Sequence, residues 1–387
     1  MAEMTSKPNL GSDYPSDWKQ FFVGDLVSIT TGSRNTQDNN PKALFPFFVR
    51  SKKVERIDGY SFDKEAVLTA GDGVGTGKIF HYINGKFDAH QRVYVLSNFV
   101  DELHGKYFYW QFSNLFFDRI MSMTAKSSVD SVRQEMISRM SFPLPCIKEQ
   151  QLIAEALSDA DALIASLKKL IDKKESILAS IKKNYFEVRC NNSERVLLGE
   201  NATFSKGRHL AKSQLSDSGK LPCVHYGELF TKYNAQILEI FSYTNLDQDT
   251  VLSKGGEVLM PTSDVTPSGL AKASYLRKPN VVIGGDILII QPNEERLYGG
   301  FLSEVIRYLE SQILSLVSGS TVYHIYAQDM AKFAFQLPNE VEEQKQIVET
   351  ISDFRNEIAA LNEELTKAKK VKIGMMQELL KGRTRLI

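Results

Sequence analysis

An internal repeat constrains this chain more than any other feature. Glu149-Gln150-x-x-Ile153-x-Glu155-x-x-Ser158-Asp159 returns as Glu343-Gln344-x-x-Ile347-x-Glu349-x-x-Ser352-Asp353, and Ile164-Ala165-x-Leu167 returns as Ile358-Ala359-x-Leu361, all at one offset of 194. Over 149–173 against 343–367, 10 of 25 positions are identical without a gap, Lys173 and Lys367 among them. A chain of 387 residues that repeats at about half its length reads as two copies of one unit rather than one continuous core.

Both copies carry a helical period. Steps of four and three residues pick out Ile153, Leu157, Ala160, Ile164, Leu167, Ile171, Lys174, Leu178, Ile181 and Tyr185, then Ile347, Ile351, Phe354, Ile358, Leu361, Leu365, Ala368, Lys372, Met375 and Leu379. Nine of ten positions in each set are apolar or aromatic. So narrow a seam, held over four heptads, predicts a coiled coil; a surface helix on a single domain is the competing reading. Residues 153 to 185 would form a helix of about 50 Å. Pro143, Pro145 and Pro338 precede the two helices, and Asn339 with Glu342 has the spacing of a cap pair.

The preceding stretches correspond more weakly. Phe22-Val23-Gly24-Asp25-Leu26-x-x-Ile29-x-x-Gly32 matches Leu197-Leu198-Gly199-Glu200-Asn201-x-x-Phe204-x-x-Gly207, and Ser128-Val129-x-Ser131-Val132 stands opposite Thr321-Val322-x-His324-Ile325. Between these landmarks, runs such as Val93-Tyr94-Val95-Leu96 and Ile287-Leu288-Ile289-Ile290 predict strands, and Tyr107–Met123 and Phe301–Val317 predict helices. The organisation is α+β: a mixed domain over 1–143, a long helix over 144–192, a second domain over 193–337 and a second long helix over 338–387.

Catalytic signatures are missing. Gly71-Asp72-Gly73-Val74-Gly75-Thr76-Gly77-Lys78 fails the phosphate-cradle pattern, because Asp72 stands where the first glycine is required and Ile79 replaces Ser or Thr. It reads as a glycine turn bringing backbone close to a ligand or a neighbouring strand. No amino-methyltransferase Pro-Pro segment, His-Glu-x-x-His or Gly-x-Ser-x-Gly motif occurs, and the histidines at 81, 90, 104, 209, 225 and 324 are scattered. Cys146, Cys190 and Cys223 form no Cys-x-x-Cys pair, so neither a disulfide framework nor a zinc site is indicated. With no basic leader and no run near the roughly 20 apolar residues that cross a bilayer, a cytoplasmic location is expected.

Charge argues at first against a nucleic-acid partner, since 47 Lys and Arg face 47 Asp and Glu. No segment is strongly basic either: residues 1–140 carry 17 basic and 16 acidic side chains, and 191–337 carry 13 and 15. Phosphate attraction must then come from local clusters. Polar and basic loops supply candidates in both halves. In the first, Arg34, Asn35 and Gln37 lie in Thr30–Asn40, joined by Arg50, Lys52, Lys53, Lys78, His90 and Arg92. In the second, Lys206, Arg208 and His209 occupy the matching loop, followed by His225, Tyr226, Thr262, Ser263, Thr321 and His324. Arginine suits guanine and Asn or Gln suits adenine; the alternative for any one of these residues is an ordinary solvated loop.

The order of parts, with Leu144-Pro145 before Glu149-Gln150-x-x-Ile153, Leu337-Pro338 before Glu343-Gln344-x-x-Ile347, and Gly319-Ser320-Thr321-Val322-x-His324-Ile325, resembles the DNA-specificity subunit of type I restriction-modification systems over essentially the whole chain. The last element is degenerate in the first half, where Lys126-Ser127-Ser128-Val129 lacks the glycine. The resemblance implies two target-recognition domains, each contacting one half of a split double-stranded DNA sequence, and two long helices packed antiparallel as a spacer. It further implies that the helices present surfaces to two methyltransferase subunits, which methylate adenine with S-adenosylmethionine, and that two ATP- and Mg²⁺-dependent restriction subunits join them. The chain itself would supply recognition and assembly, without an active site, cofactor, metal or membrane. Two other readings stand beside this one: a coiled-coil adaptor with two protein-binding domains, and an enzyme with an unrecognised site in the glycine segment.

Overall fold

Alternation of β-branched and aromatic residues with polar ones builds the first half. The computed structural model describes residues 14–123, 131–188 and 193–387; the Lys126–Val129 landmark and Cys190 lie outside these. In chain order come β1 (Lys19–Phe22), the single turn α1 (Val23–Leu26), β2 (Ser28–Thr31), β3 (Phe45–Phe48), β4 (Glu55–Ile57), β5 (Phe62–Ala70), β6 (Phe80–Ala89) and β7 (Val93–Ser97). Helix α2 (Gly105–Ser122), the turn α3 (Gln134–Ser138), β8 (Ser141–Leu144) and the long helix α4 (Ile147–Lys183) follow. One sheet has the order β2-β7-β5-β6-β3-β4, with β3 parallel to β6 and the other neighbours antiparallel, while β1 pairs with β8. Successive side chains of a strand point to opposite faces. Val67 and Leu96 therefore join Tyr107, Phe108, Phe112 and Phe116 of α2, while Ala66, Leu68 and Val95 join Phe48 and Phe87 on the other side.

The second half uses β9 (Ser193–Leu197), α5 (Leu198–Asn201), β10 (Ala202–Lys206), β11 (Leu221–Val224), α6 (Glu228–Thr231), β12 (Gln236–Ile237), β13 (Ser242–Thr244), β14 (Glu257–Pro261), β15 (Ser263–Asp264), β16 (Ser274–Leu276), β17 (Val282–Ile283) and β18 (Ile287–Pro292). After these come α7 (Gly299–Tyr308), α8 (Glu310–Leu316), β19 (Tyr323–His324), α9 (Ala327–Met330), β20 (Ala334–Pro338) and the long helix α10 (Val341–Leu379). Its strands pair as β10-β18-β14-β16-β12, β13-β11-β17, β15-β19 and β9-β20. The single helix expected over Phe301–Val317 is two, because the backbone at Leu309 (φ −87°, ψ 36°) leaves the helical region.

The repeat extends to individual hydrogen bonds. After β2, Gly32 N–H donates to Val93 O and Arg34 N–H to Ala89 O; after β10, Gly207 N–H donates to Ile287 O and Arg208 N–H to Ile283 O. A Cβ at Gly32 would run into the carbonyl of Ala89, and one at Gly207 into that of Gly284, which is why the two landmark glycines recur at the same place. The Glu-Gln pair of the repeat has a comparable reason. Gln150 accepts from His104 N–H (2.9 Å) and donates to Glu102 O and Pro145 O (both 2.9 Å). Gln344 accepts from Tyr298 N–H (2.8 Å) and donates to Arg296 O (2.8 Å) and Pro338 O (3.0 Å). Each fully buried amide thus ties the start of a long helix to the loop that leads into its domain's own helix.

By packing, the chain divides into Met1–Lys169 with Glu363–Ile387, and Leu170–Asn362, so each long helix lends one end to each unit. Within the first unit, Asp161 of α4 pairs with Lys372 of α10, and buried Glu149 takes both Nε (2.6 Å) and Nη2 (2.9 Å) of Arg385. In the second, Lys174 pairs with Glu357 (2.7 Å), and buried Glu304 holds Arg355 with Lys182 at 3.7 Å. The start of one long helix therefore lies against the end of the other, running the opposite way. Every seam position of both helices is buried or half-buried, Ile153, Leu157 and Leu379 in the first unit's core and Ile347 and Ile351 in the second's. Among the described residues, no helix is long and apolar enough to cross a membrane.

Candidate nucleic-acid interface

In the first unit, the turn leaving β2, the turns leaving β3 and β5, and the β6–β7 connection bring most of the sequence candidates to one place. Arg34 forms a parallel bridge with His90 and donates Nε to Asp88 Oδ2 at 2.9 Å; Asp88 is fully buried and also accepts from Ser61 Oγ. Gln91 Nε2 donates to Asn35 Oδ1 (2.8 Å), and Asn35 N–H is taken by Asp38. Arg50 and Arg92 each give Nη1 to Asp72, one to each carboxylate oxygen, both at 2.6 Å. Burial pushes the Asp72 carboxyl up, but the two guanidiniums outweigh it and hold it below its ordinary value. His90 is the reverse case: burial first, then Arg50, lowers its pKa and keeps the ring neutral, with Nδ1 accepting from Arg92 N–H. The remaining candidates do not join this cluster. Gln37 and Lys52 are exposed, Lys53 pairs with Glu55, and Lys78 sits over the ring of Phe117 at 5.4 Å.

In the second unit the matching position is an open cleft of about 770 Å³, lined by Phe204, Ser205, Lys206, Thr262, Ser263, Asp286, His324, Tyr326 and neighbours. Its edges come from β10 and from the β15–β19 pair, in which Ser263 faces His324. Lys206 meets Asp286 at 3.5 Å, and the His324 and Tyr326 rings stack at 6.1 Å. Lys206 and Ser263, expected in loops, lie at strand ends, because their backbones complete ladders with β18 and β19. Five candidates, Arg208, His209, Thr321 and the adjacent, mutually tilted rings of His225 and Tyr226, lie outside the cleft; Arg208 pairs with Asp249, and His209 and Thr321 are exposed.

The two sites share equivalent backbone around Asp72 and Ser263, while Arg208, the counterpart of Arg34, lies outside the cleft. Val132 N–H donates to Gly71 O (2.7 Å) in the first unit and Ile325 N–H to Thr262 O (3.1 Å) in the second, and Asp72 bridges Ser131 much as Ser263 bridges His324. Sequence reasoning missed Asp72, Asp88, Asp286 and Tyr326. Basic and amide side chains were sought, whereas the carboxylates that order them and the aromatic beside His324 were not; the one available signal was Asp72 replacing a glycine.

Among the described residues no cluster of His, Cys, Asp or Glu is arranged to hold a metal ion. Cys146 is exposed, and burial pushes the Cys223 thiol up to about 12.

Two repeated α+β domains, each followed by a long helix and each carrying a polar candidate surface, define the architecture of this chain. The family described as type I restriction modification DNA specificity domain matches the chain twice, over residues 15–175 and 191–370, and the chain belongs to that family. It is 32% identical over 167 residues to the type I restriction enzyme EcoDI specificity subunit of Escherichia coli, an alignment covering 42% of this chain and only 36% of that relative. With the MjaVIII specificity subunit of Methanocaldococcus jannaschii it shares 23% identity, over 97% of this chain and 95% of the other. Its fold resembles the crystal structure of a type I restriction-modification S subunit from M. genitalium (TM-score 0.63, 17% identity, covering 97% and 99% of the two chains).

Proposed function

We propose that this chain is the non-catalytic, sequence-reading subunit of a type I restriction-modification enzyme. Each unit reads one half of a split, asymmetric duplex target, the first through residues of 1–143 and the second through residues of 193–337. The observation that carries this reading is the pair of polar surfaces on equivalent backbone with different side chains: one arginine-rich, the other a cleft with Lys206, His324 and Tyr326. Such a pair suits two unlike half-sites separated by unread spacer. The long helices, seam residues included, set the spacing and carry methyltransferase subunits, to which exposed apolar residues off the seam, Leu163, Leu170, Val371 and Ile373, are suited. Restriction subunits join through these, and S-adenosylmethionine, ATP and Mg²⁺ belong to the partners. The complex works in the cytoplasm.

With equal numbers of basic and acidic residues, the isolated chain should bind DNA weakly and with strong salt sensitivity. Gel shifts with random duplexes, with and without a methyltransferase partner, test the reading against a protein-binding adaptor, which would retard no duplex in either case. Deleting one heptad from both long helices should shift or abolish the preferred spacer and leave both half-sites as they were. An unchanged spacer would refute the helices' role as a ruler.

A further inference from the structure

We infer that Asp72 is a positioning residue that holds Arg50 and Arg92 as a paired reader of guanine in the half-site of the first unit, an inference that rests on the DNA-reading function proposed above. The glycine segment Gly71–Lys78 matches no phosphate cradle, yet it brings one carboxylate onto two guanidiniums. Oδ1 takes Arg50 Nη1 and Oδ2 takes Arg92 Nη1, both at 2.6 Å. The exposures are graded accordingly: 14% for the Asp72 side chain, 43% for Arg50 and 62% for Arg92. The carboxylate lies beneath and the guanidiniums stand above it in solvent.

The backbone under Asp72 is fixed from both sides. Gly71 N–H donates to Arg92 O (2.8 Å), Gly71 O accepts from Val132 N–H (2.7 Å), and Thr76 donates its N–H (3.0 Å) and its hydroxyl (2.6 Å) to Gly73 O. A free arginine loses considerable rotamer freedom when it engages a base; one already anchored has given up part of that freedom before DNA arrives. Asp72 takes one N–H from each guanidinium and leaves the other donors of each fork unclaimed by it. Guanine offers O6 and N7 side by side in the major groove, the acceptor pair an arginine fork fits best. A phosphate contact is the poorer reading of the same geometry, because the carboxylate offsets one of the two positive charges that would draw a phosphate, whereas the fit of an arginine fork to a neutral base edge does not depend on net charge. Arg34 on buried Asp88, and Asn35 bonded to Gln91, follow the same plan of side chains ordered in advance. The second unit has Ser263 where the first has Asp72, so it should carry no such arginine pair.

The test is selection of the full-length chain on a pool of random-sequence duplexes at low salt. Wild type is compared with Arg50→Ala, Arg92→Ala, Asp72→Asn and Asp72→Glu, with thermal unfolding of each variant measured alongside. Wild type should enrich a split motif with guanine in one half. Either arginine variant should lose roughly 5- to 150-fold of the preference for one guanine position. Asp72→Asn should lower the same preference while binding to motif-free duplex stays level or rises, and Asp72→Glu should restore part of it; the other half-site should not change in any variant. A duplex with 7-deazaguanine at that position removes N7 and needs no protein variant. It should bind wild type more weakly than guanine does, and no more weakly than guanine does to the arginine variant. Guanine preference untouched by Asp72→Asn, or 7-deazaguanine bound as well as guanine, overturns the inference while leaving the proposed function standing. A wild-type chain that enriches no motif overturns the proposed function, and the inference with it.

Discussion

The two candidate surfaces of this protein share backbone around Asp72 and Ser263 and differ in the side chains set upon it. In the first unit, guanidiniums are tied down by Asp72 and Asp88 in an ordered, charge-dense array. In the second, the corresponding turn opens into a cleft of about 770 Å³ with Lys206, Ser263, His324 and Tyr326 around it. Repetition preserved what builds the platform, namely the glycine that lets β2 or β10 turn past a neighbouring carbonyl and the glutamine that anchors each long helix. It did not preserve what the platform displays. A scaffold so divided can be refurnished on one side without disturbing the other.

The largest difference should come from the buried ion pairs that the long helices make in each unit. In Arg385→Ala, Glu149 stays buried without its bidentate partner, and the first unit should lose roughly 3–5 kcal/mol. Arg355→Ala removes a comparable partner from Glu304 but leaves Lys182 at 3.7 Å, so the second unit should lose less. Calorimetry of the two variants checks the order; equal losses would show that Lys182 does not compensate. Next in size is salt dependence. Arg92→Ala, which takes one cation from the charge-dense array although its own contact is to a base, should lower the slope of log K against log salt by less than the roughly one unit of a lost phosphate contact, whereas Tyr326→Ala should weaken binding with the slope unchanged. Binding titrations at several salt concentrations separate the two, and parallel slopes for both variants would erase the proposed contrast between a charge-built surface and an aromatic cleft.

The smallest effect concerns pH. Burial lowers the pKa of His81 and His90 in the first unit and of His225 in the second. A histidine depressed in the folded state contributes stability that is present above its unfolded value of about 6.5 and is lost as pH falls through the folded one. Thermal midpoints between pH 7.5 and 5 should fall, and His225→Gln should remove part of the second unit's decline while leaving the first unit's larger decline in place.

Much of the platform was legible in the sequence. The 4-3 seam of Ile153 to Tyr185 and of Ile347 to Leu379 carries its own period, and Gly32 and Gly207 announce a turn by their recurrence. The Glu-Gln pair marked a position but not its purpose, since two of the three groups that Gln150 and Gln344 each bond lie 46 and 48 residues earlier. Strand order was hidden for the same reason: the parallel pairing of β3 with β6 joins Phe47 to Asp88, which no local pattern connects. At the site, Arg50, Asp72 and Arg92 are separated by about twenty residues each, and only the sheet brings them together. The break at Leu309 escaped because the helical spacing of apolar residues, Phe301, Leu302, Val305, Ile306, Leu309, Ile313 and Leu316, continues through it.

The most direct test of two independent readers is the motif methylated in genomic DNA of cells carrying this chain with its methyltransferase partner, compared with a chimera in which residues 1–143 come from a relative. One half of the motif should change while the other half and the spacer persist. A change in both halves, or in neither, would contradict modular readout by the two units.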